Sequence, residues 1–292
     1  MKTPVLTGLA LVAFAANSVL CRLALGGATI DAASFTTVRL TSGACVLLII
    51  SASVGKNLPS LRRGVKFISA LLLFLYAAAF SFAYTGLTTG TGALILFGSV
   101  QATMLAAALL SGERPHPLEW AGLALALAGL VYLVLPGLAA PPPLSSAFMA
   151  VAGVSWGLYS LRGRGATNPL ADTTSNFVLA LPLAFAVNLI TQRGGAHIST
   201  AGVLLAILSG ALASGVGYVV WYAALRGLTA TRAATVQLAV PVLAAVGGVM
   251  FMSEKVSVRL LLAATVILGG VALALFGRAR PGHTETERRV RL

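Results

Sequence analysis

Long apolar stretches, separated by short polar clusters, run along almost the whole chain. A helix needs about 20 predominantly apolar residues to cross the hydrocarbon core of a bilayer. The pattern predicts ten such helices, with glycine, proline and asparagine in the breaks between them. Their predicted limits are about residues 4–23, 32–54, 66–86, 92–111, 118–136, 146–161, 170–190, 200–224, 233–252 and 258–277. We therefore predict an all-α integral membrane protein.

The composition supports a membrane protein and excludes several soluble classes. Hydrophobic residues make up 58% of the 292 residues, charged residues only 9%, and the mean hydropathy is +0.94. Soluble domains carry about 25% charged residues. This excludes an ordinary soluble enzyme, a disordered protein and a nucleic-acid-binding domain. The net charge of +13 is assigned to loops that face anionic lipid, so membrane lipids are expected partners and nucleic acid is not.

Lysine and arginine are distributed unevenly between the two sides of the predicted helix bundle. Of the 20 basic residues, fifteen fall on the side that carries both termini and five on the other side. The positive-inside rule then predicts cytoplasmic termini in a cell inner (plasma) membrane, with residues 279–292 as a basic cytoplasmic tail. Lys2 and the segment Ala13-Phe14-Ala15 also resemble a signal peptide. We expect this segment to be retained, because the second half of the chain repeats the first and the repeat requires this segment as a helix.

The chain matches itself when it is slid by 141 positions. Five helices per copy is an odd number, so the second copy must enter the membrane upside down, with Glu113 at the cytoplasmic face and Glu254 at the outer face. Inverted repeats are typical of secondary transporters. The predicted division is a first repeat over residues 1–137, a proline-rich linker over 138–145 and a second repeat over 146–278. Matched positions include Gly86-Leu87-Thr88 with Gly227-Leu228-Thr229, Glu113 with Glu254, Gly129 with Gly270, Asp31 with Asp172, and Ser34 with Ser175.

Motifs in the second half resemble those of a known transporter superfamily. They are Thr231-Arg232-Ala233-Ala234, Pro241, Ser253-Glu254-Lys255 and Gly269-Gly270, preceded by Trp156-Gly157 and Arg162. Together they resemble the second EamA domain of the drug/metabolite transporter superfamily. The first half is similar but has Val100 where a proline is expected and Ala16 where a tryptophan is expected. The resemblance covers residues 3–277.

Within that superfamily the chain most resembles aromatic and neutral amino-acid exporters of the YddG type. The resemblance implies a ten-helix exporter with two inverted five-helix repeats. The implied substrates are neutral and aromatic amino acids and related small amphipathic metabolites, moved by alternating access.

The positions of the charged residues bear on energy coupling. The acidic residues near predicted helices all lie within about one turn of a helix end, and Arg39 is the only clear intramembrane charge. Proton-driven antiporters usually keep an ionisable group at depth. This favours a facilitator, or uniporter, that moves solute down its own gradient. The alternative is a proton-coupled drug or other metabolite exporter of the same superfamily.

Arg39 lies roughly 12 Å into the hydrocarbon, because it follows Asp31 by eight residues at about 1.5 Å each. An unpaired cation there costs about 2.5–3.5 kcal/mol or more. The functional interpretation is an anchor for a solute carboxylate. The alternative is a structural cation that is held by backbone carbonyls or snorkels to the outer face.

Four amide side chains near the midplane are further candidates for solute binding. They are Asn17, Gln101, Asn176 and Gln237. Pro241 follows Gln237 by one helical turn and frees a backbone carbonyl there by removing an amide donor. We predict that Gln101, Gln237 and the carbonyl freed by Pro241 line the cavity. Polar contacts between helices are the alternative explanation for all four amides.

Aromatic residues recur on one face of the third helix and in its inverted counterpart, the eighth helix. Tyr76 and Trp156 lie near the midplane and are predicted to pack on an apolar or aromatic solute. The remaining aromatic residues are candidate gates, one group per membrane face. For Tyr84, Trp221 and Tyr222, an interfacial aromatic belt is the favoured alternative. The candidate gates are Phe80, Tyr84, Tyr218, Trp221 and Tyr222.

Other protein classes are not supported by the residues inside the helices. An intramembrane enzyme would need a catalytic pair at depth, and a channel would need charged or carbonyl-rich rings. The spans contain neither histidine nor an interior acidic residue. We therefore expect no catalytic residue, no cofactor and no metal site. The fifth and tenth helices are almost free of polar side chains, so we expect them to serve as scaffold or as the surface of a weak homodimer, if the protein is not a monomer.

Overall fold

The structure is a computed structural model of an all-helical protein. It describes residues 2–54, 63–87, 89–112, 116–134, 142–164, 166–191, 197–252 and 258–276. Each of the ten predicted helices is present in these ranges. Five are long and apolar enough to cross a membrane over their described length, and each of the other five contains a shorter apolar helix. The fold-class prediction is confirmed.

The first copy of the repeat contains five helices. The first helix ends in a π-helical turn at Arg22–Gly26, and Asp31 caps the second by accepting a hydrogen bond from the Ser34 amide at 2.9 Å. The helices are α1 (Lys2–Cys21), α2 (Ala32–Ser53), α3 (Arg63–Ala83), α4 (Thr89–Leu110) and α5 (Pro117–Val134).

The second copy has the same order but is interrupted twice. Its eighth transmembrane segment contains a π-helical segment at Ser209–Val216, and its ninth is divided near Pro241. The helices are α6 (Pro143–Gly163), α7 (Pro169–Thr191), α8 (Thr200–Leu208), α9 (Gly217–Leu225), α10 (Ala230–Gln237), α11 (Val240–Met252) and α12 (Val258–Phe276). The eighth segment is thus α8, the π-helical segment and α9, and the ninth is α10 and α11.

Helix contacts occur in symmetric pairs that exchange the two copies. Helix α6 packs on α3 and α4, and its counterpart α1 packs on α9 and α11, the counterparts of α3 and α4. Helix α2 packs on α7, and α5 packs on α12, so equivalent helices meet at the symmetry axis. This is the contact pattern of two interlocked repeats that are related by a twofold axis.

Equivalent loop contacts lie at opposite ends of the bundle. A Cβ at Gly227 would lie 2.5 Å from the Thr3 hydroxyl at the start of α1, and Gly86 meets Ser145 near the start of α6 in the same way. Because five crossings separate the starts of α1 and α6, these contacts are at opposite ends. The two copies are therefore inverted. Glu113 and Glu254, the pair predicted to lie on opposite faces, fall outside the described residues.

Helices α5 and α12 touch backbone to backbone. A Cβ at Gly122 would lie 2.5 Å from the Gly270 carbonyl oxygen, and a Cβ at Gly270 would lie 2.6 Å from the Gly122 carbonyl oxygen. Glycine at both positions permits this approach. The outer faces of the pair expose large apolar side chains, including Trp120, Leu125 and Leu261. Such surfaces suit lipid.

Both ends of the bundle carry direct links between the copies. At one end Glu119, in the first turn of α5, pairs with Arg232 of α10 at 3.1 Å. At the other end the loops before α2 and α8 form a β-bridge between Ile30 and Ile198. Two backbone hydrogen bonds flank this bridge, from the Asp31 amide to His197 and from the Ser199 amide to Thr29, both at 2.9 Å.

Candidate functional site

Arg39 lies in the centre of the bundle and is 1% exposed. Its Nε donates a hydrogen bond to the Ser214 hydroxyl at 3.0 Å. Its Nη2 donates to the Tyr218 hydroxyl at 2.9 Å and, more weakly, to the Tyr76 hydroxyl at 3.4 Å. The arginine therefore does not snorkel, and these partners are hydroxyl groups rather than backbone carbonyls. The two alternatives offered from the sequence, a cation held by backbone carbonyls and a cation that snorkels to the outer face, are therefore wrong.

The π-helical segment Ser209–Val216 brings the Ser214 hydroxyl to Arg39. Helix α2 approaches this segment closely, because a Cβ at Gly43 would lie 2.9 Å from the Gly210 carbonyl oxygen. Insertions of this kind often mark functional sites in helices.

One nitrogen of the Arg39 guanidinium has no hydrogen-bond partner within the described part of the chain. This nitrogen is Nη1, and it is fully buried. The guanidinium carbon lies 5.4 Å from the centre of the Tyr76 ring and 5.8 Å from that of Phe80, so aromatic faces stabilise the charge in part. A buried donor without an acceptor is costly. Arg39 is therefore equipped to receive an anionic or hydrogen-bond-accepting group.

Trp156 is the centre of a cluster of aromatic rings beside Arg39. Its ring lies 4.8 Å from Tyr218, 5.0 Å from Tyr76, 5.1 Å from Phe14 and 5.8 Å from Tyr159, centre to centre. These rings come from α1, α3, α6 and α9, so both copies contribute to the cluster. The two tyrosines that contact Arg39 are thus also in contact with Trp156.

The two glutamines predicted from the sequence lie on the α4 and α10 side of Trp156. Gln237 accepts a hydrogen bond from the Trp156 indole Nε1 at 2.7 Å. Gln101 donates from Nε2 to the Ala234 carbonyl at 2.5 Å, while its Oε1 has no partner in the described ranges. Helix α10 ends at Gln237, and α11 starts at Val240, which agrees with the break expected at Pro241.

The two asparagines make contacts between helices. Asn17 of α1 accepts a hydrogen bond from the Ser209 hydroxyl at 2.5 Å. Asn176 of α7 donates to the Tyr159 hydroxyl at 3.4 Å. Both amides thus join helices through side chains of the second copy. Their predicted role in solute binding stays a prediction.

The candidate gates face inward. Tyr218, Trp221 and Tyr222 are at most 1% exposed. Trp221 donates to the Ser160 hydroxyl at 3.2 Å, and Tyr222 donates to the Tyr159 carbonyl at 3.2 Å. The interfacial-belt explanation is therefore wrong for Trp221 and Tyr222, because belt residues meet lipid headgroups.

The other two candidate gates extend the cluster along α3. The Phe80 ring lies 5.7 Å from Tyr76 and 4.8 Å from Tyr84. Tyr84 is half-buried and packs against Gly92 of α4, whose added Cβ would lie 2.9 Å from the tyrosine ring. The three aromatic residues thus form a continuous row from Arg39 toward the end of α3. Gating itself stays a prediction for all five residues.

Sequence reasoning missed several residues of this cluster. Phe14, Tyr159 and Phe177 contact Trp156 or Tyr218. Ser214, whose hydroxyl accepts a hydrogen bond from Arg39, was also missed. The tyrosine in an apolar helix was a usable signal, because a buried phenolic hydroxyl needs a partner. A phenylalanine or a serine in an apolar helix carries no such signal.

An inverted ten-helix duplication with a polar and aromatic centre between its halves is the architecture of a membrane transporter. Residues 2–135 and 144–276 each match the EamA-like transporter family. The chain belongs to this family and is a multi-pass membrane protein. These two matches agree with the duplication seen in the helix contacts.

A relative and a solved structure resemble the chain over nearly its whole length. An uncharacterized protein of Pseudomonas aeruginosa is 50% identical over 277 residues, which cover 95% of this chain and 96% of the relative. A crystal structure of a protein superposes with a TM-score of 0.76 at 23% sequence identity, covering 94% of this chain and 99% of that chain. This structural similarity supports the fold.

Proposed function

We propose that this transporter exports neutral and aromatic amino acids by alternating access, as a uniporter. The observation that carries the proposal is the buried Arg39 guanidinium, which has one nitrogen without a hydrogen-bond partner among the described residues and lies against the rings of Tyr76 and Phe80. An amino acid combines a carboxylate with a side chain of variable apolar size. The site offers a complementary group for each of these parts.

The carboxylate is assigned to Arg39. Arginine binds carboxylates through charge-assisted hydrogen bonds, which are about twice as strong as neutral ones. Ser214, Tyr76 and Tyr218 occupy Nε and Nη2 and hold the guanidinium plane. A carboxylate that reaches Nη1 would satisfy the remaining buried donor. It would also neutralise a charge that is costly at this depth.

The side chain of the solute is assigned to the rings around Trp156. Aromatic and large apolar groups pack on tryptophan and tyrosine in offset or edge-to-face geometry, with ring centres about 4.5–7 Å apart. Tyr76 and Tyr218 adjoin both Trp156 and Arg39. A carboxylate on Arg39 thus places the rest of the solute near these rings. We also propose that the solute enters this site from the cytoplasm and that the membrane it crosses is a cell inner membrane.

The uniporter mechanism is supported by the positions of the two acidic side chains that bury carboxylate oxygens in the described ranges, because Asp31 and Glu119 both lie at helix starts. Glu119 is paired with Arg232 and also accepts a hydrogen bond from the His116 amide at 2.9 Å. A carboxylate held in this way at a helix start is poorly suited to carry a proton across the membrane. The proton-coupled drug exporter is the alternative function, and an imposed gradient separates the two.

The first experiment is counterflow of labelled phenylalanine, methionine and threonine into proteoliposomes that contain the purified protein. We expect unlabelled amino acid inside the vesicles to drive uptake of label without any ion gradient. Accumulation driven by a pH gradient alone would contradict the uniporter mechanism. Absence of counterflow for all three amino acids would contradict the substrate class.

The role of Arg39 is tested by substitution and by solute analogues. Arg39→Gln is expected to lower phenylalanine counterflow at least tenfold, because the loss of a charge-assisted bond costs about 1.5–3 kcal/mol. Arg162→Gln, which removes an exposed arginine of α6, is the matched control and should leave transport unchanged. In the wild type, 3-phenylpropionate should compete with phenylalanine and phenethylamine should not. Equal competition by the two analogues would contradict a carboxylate anchor.

A further inference from the structure

Gln237 is a fully buried glutamine whose amide group has every polar atom occupied. Its Oε1 accepts the hydrogen bond from Trp156 at 2.7 Å. Its Nε2 donates to the Ala233 carbonyl at 3.1 Å, one turn earlier in α10, and to the Met104 sulfur at 3.3 Å. Both N–H donors of this amide are therefore used, and its buried oxygen already accepts a hydrogen bond, whereas a solute-binding amide would keep an unpartnered atom. This conflicts with the cavity-lining role predicted from the sequence.

Gln101 lies on the facing helix α4 and differs in this respect. Its Nε2 is held by the Ala234 carbonyl, and its Oε1 is buried without a partner among the described residues. The two glutamines thus have the same chemistry and different availability. Gln101 keeps an acceptor oxygen without a partner among the described residues, which a solute N–H can use, whereas every polar atom of Gln237 already has a partner.

The acceptor of Gln237 points at the residue that connects the rings to Arg39. Trp156 contacts Tyr76 and Tyr218, and both of these tyrosines receive hydrogen bonds from the Arg39 guanidinium. An indole that rotates about its side-chain torsions would therefore displace the two tyrosine rings. The direction of the Trp156 N–H then decides where the ring faces lie.

The backbone around Trp156 is already fixed by close helix packing. A Cβ at Gly153 would lie 2.5 Å from the Leu96 carbonyl oxygen, and a Cβ at Gly157 would lie 3.0 Å from the Thr103 side chain, so α6 is held against α4 on both sides of Trp156. The side-chain torsions remain to be set. A buried indole N–H requires an acceptor. The side-chain oxygen Oε1 of Gln237 therefore selects one rotamer of Trp156.

We infer that Gln237 is a positioning residue, which fixes the Trp156 indole for solute packing and does not itself bind the solute. The inference rests on the proposed function only in assuming that the Trp156 ring meets the solute. It assigns different roles to two glutamines that the sequence treats alike. Gln237 acts through Trp156, and Gln101 acts independently of it.

A double-mutant cycle separates the two roles, with KM and kcat for phenylalanine counterflow as the readout. Gln237→Met keeps the side-chain volume and removes the acceptor. We expect it to raise KM about fivefold, the effect of one lost hydrogen bond, while kcat changes less. In a Trp156→Phe background the same substitution should have no further effect on KM. Gln101→Met is the matched control and should raise KM equally in both backgrounds.

Additive effects of Gln237→Met and Trp156→Phe on KM would overturn the inference, because they would mean that Gln237 contacts the solute directly. A fivefold change in kcat with no change in KM for Gln237→Met would also overturn the inference. If wild-type protein shows no counterflow of phenylalanine, methionine or threonine, the proposed substrate class fails. The positioning role is then decided by a measurement that needs no solute.

That measurement is the 19F spectrum of protein labelled with 5-fluorotryptophan in detergent micelles. The chain has three tryptophans, and Trp156→Phe identifies the signal of Trp156. Gln237→Met should shift or broaden that signal and leave the other two in place. Gln237→Glu, in its protonated form, keeps an acceptor toward the indole and a donor toward the Ala233 carbonyl, so at acidic pH it should restore the wild-type position. An unchanged Trp156 signal in Gln237→Met, or the same shift in both variants, would overturn the inference.

Discussion

The two copies of the repeat differ most in the fourth helix and its counterpart, the ninth. Helix α4 runs without interruption from Thr89 to Leu110, whereas the equivalent segment is divided into α10 and α11. The position that matches Pro241 in the first copy is Val100, whose backbone N–H continues the helix. A single residue type thus explains why one copy bends at this place and the other does not.

The third helix and its counterpart, the eighth segment, also differ, and the second copy is again the irregular one. Helix α3 is a regular helix that carries a row of aromatic residues, whereas the equivalent segment contains the π-helical turns of Ser209–Val216. The central charge shows the opposite distribution, because the position that matches Arg39 in the second copy is Ala180. The duplication preserved the packing and divided the tasks: the first copy supplies the charge and the second supplies the irregular backbone that holds it.

The largest effect is expected from introducing the break into the straight helix. Val100→Pro would remove the amide hydrogen bond to Leu96 and place the ring against that carbonyl, at a cost of about 3 kcal/mol or more. We expect a clear loss of thermal stability in detergent and low accumulation in the membrane. Val100→Ala is the control and should lose much less. A Val100→Pro protein as stable as the wild type would mean that both copies tolerate a bend.

A smaller effect is expected from removing the break in the second copy. Pro241→Val restores a backbone amide that can donate to the backbone carbonyl of Gln237. This hydrogen bond would stabilise, by about 1 kcal/mol, the straight form of a helix that must flex. The folded protein should be at least as stable as the wild type, while the phenylalanine counterflow rate should fall about fivefold. Pro182→Val, a change at the proline inside α7, is the control. If transport is unaffected in Pro241→Val, the bend is not part of the transport cycle.

The smallest effect is expected from the ion pair that joins the copies at one end. Although Glu119 is buried, Arg232 is partly exposed and solvent screens the pair, so its coupling energy should be only about 0.5 kcal/mol. The measurement is a double-mutant cycle on thermal unfolding with Glu119→Gln and Arg232→Gln. A coupling energy near zero would show that this contact does not help to hold the copies together.

Much of the fold could be predicted from hydrophobic length and charge alone, since each predicted segment corresponds to a helix. The π-helical segment could not be predicted, because Ser209–Val216 contains mostly small residues, which do not distinguish one kind of helix from the other. The bend at Pro241 could be predicted, since proline removes a donor wherever it occurs in a helix.

The candidate site was predictable where a residue is costly in lipid. Arg39, Gln101 and Gln237 were predicted for this reason. The structure places Arg39 against Tyr76 and Gln237 against Trp156, whereas Gln101 contacts the α10 backbone. Position along a helix does not reveal which way a side chain faces, and the belt explanation for Trp221 and Tyr222 was wrong on that account. The different hydrogen bonding of the two glutamines depends on tertiary contacts and is not encoded in residue type.

The bridge between Ile30 and Ile198 has a consequence for mutagenesis. Its flanking hydrogen bonds run from the amides of Asp31 and Ser199 to carbonyl groups, so no side chain takes part in them. An alanine scan of these loops would leave both bonds intact, and a loss at Asp31 or Ser199 would report the helix caps that their side chains make instead. Only proline, at Asp31 or at Ser199, deletes a donor, and a transporter can therefore depend on a contact that ordinary scanning never removes.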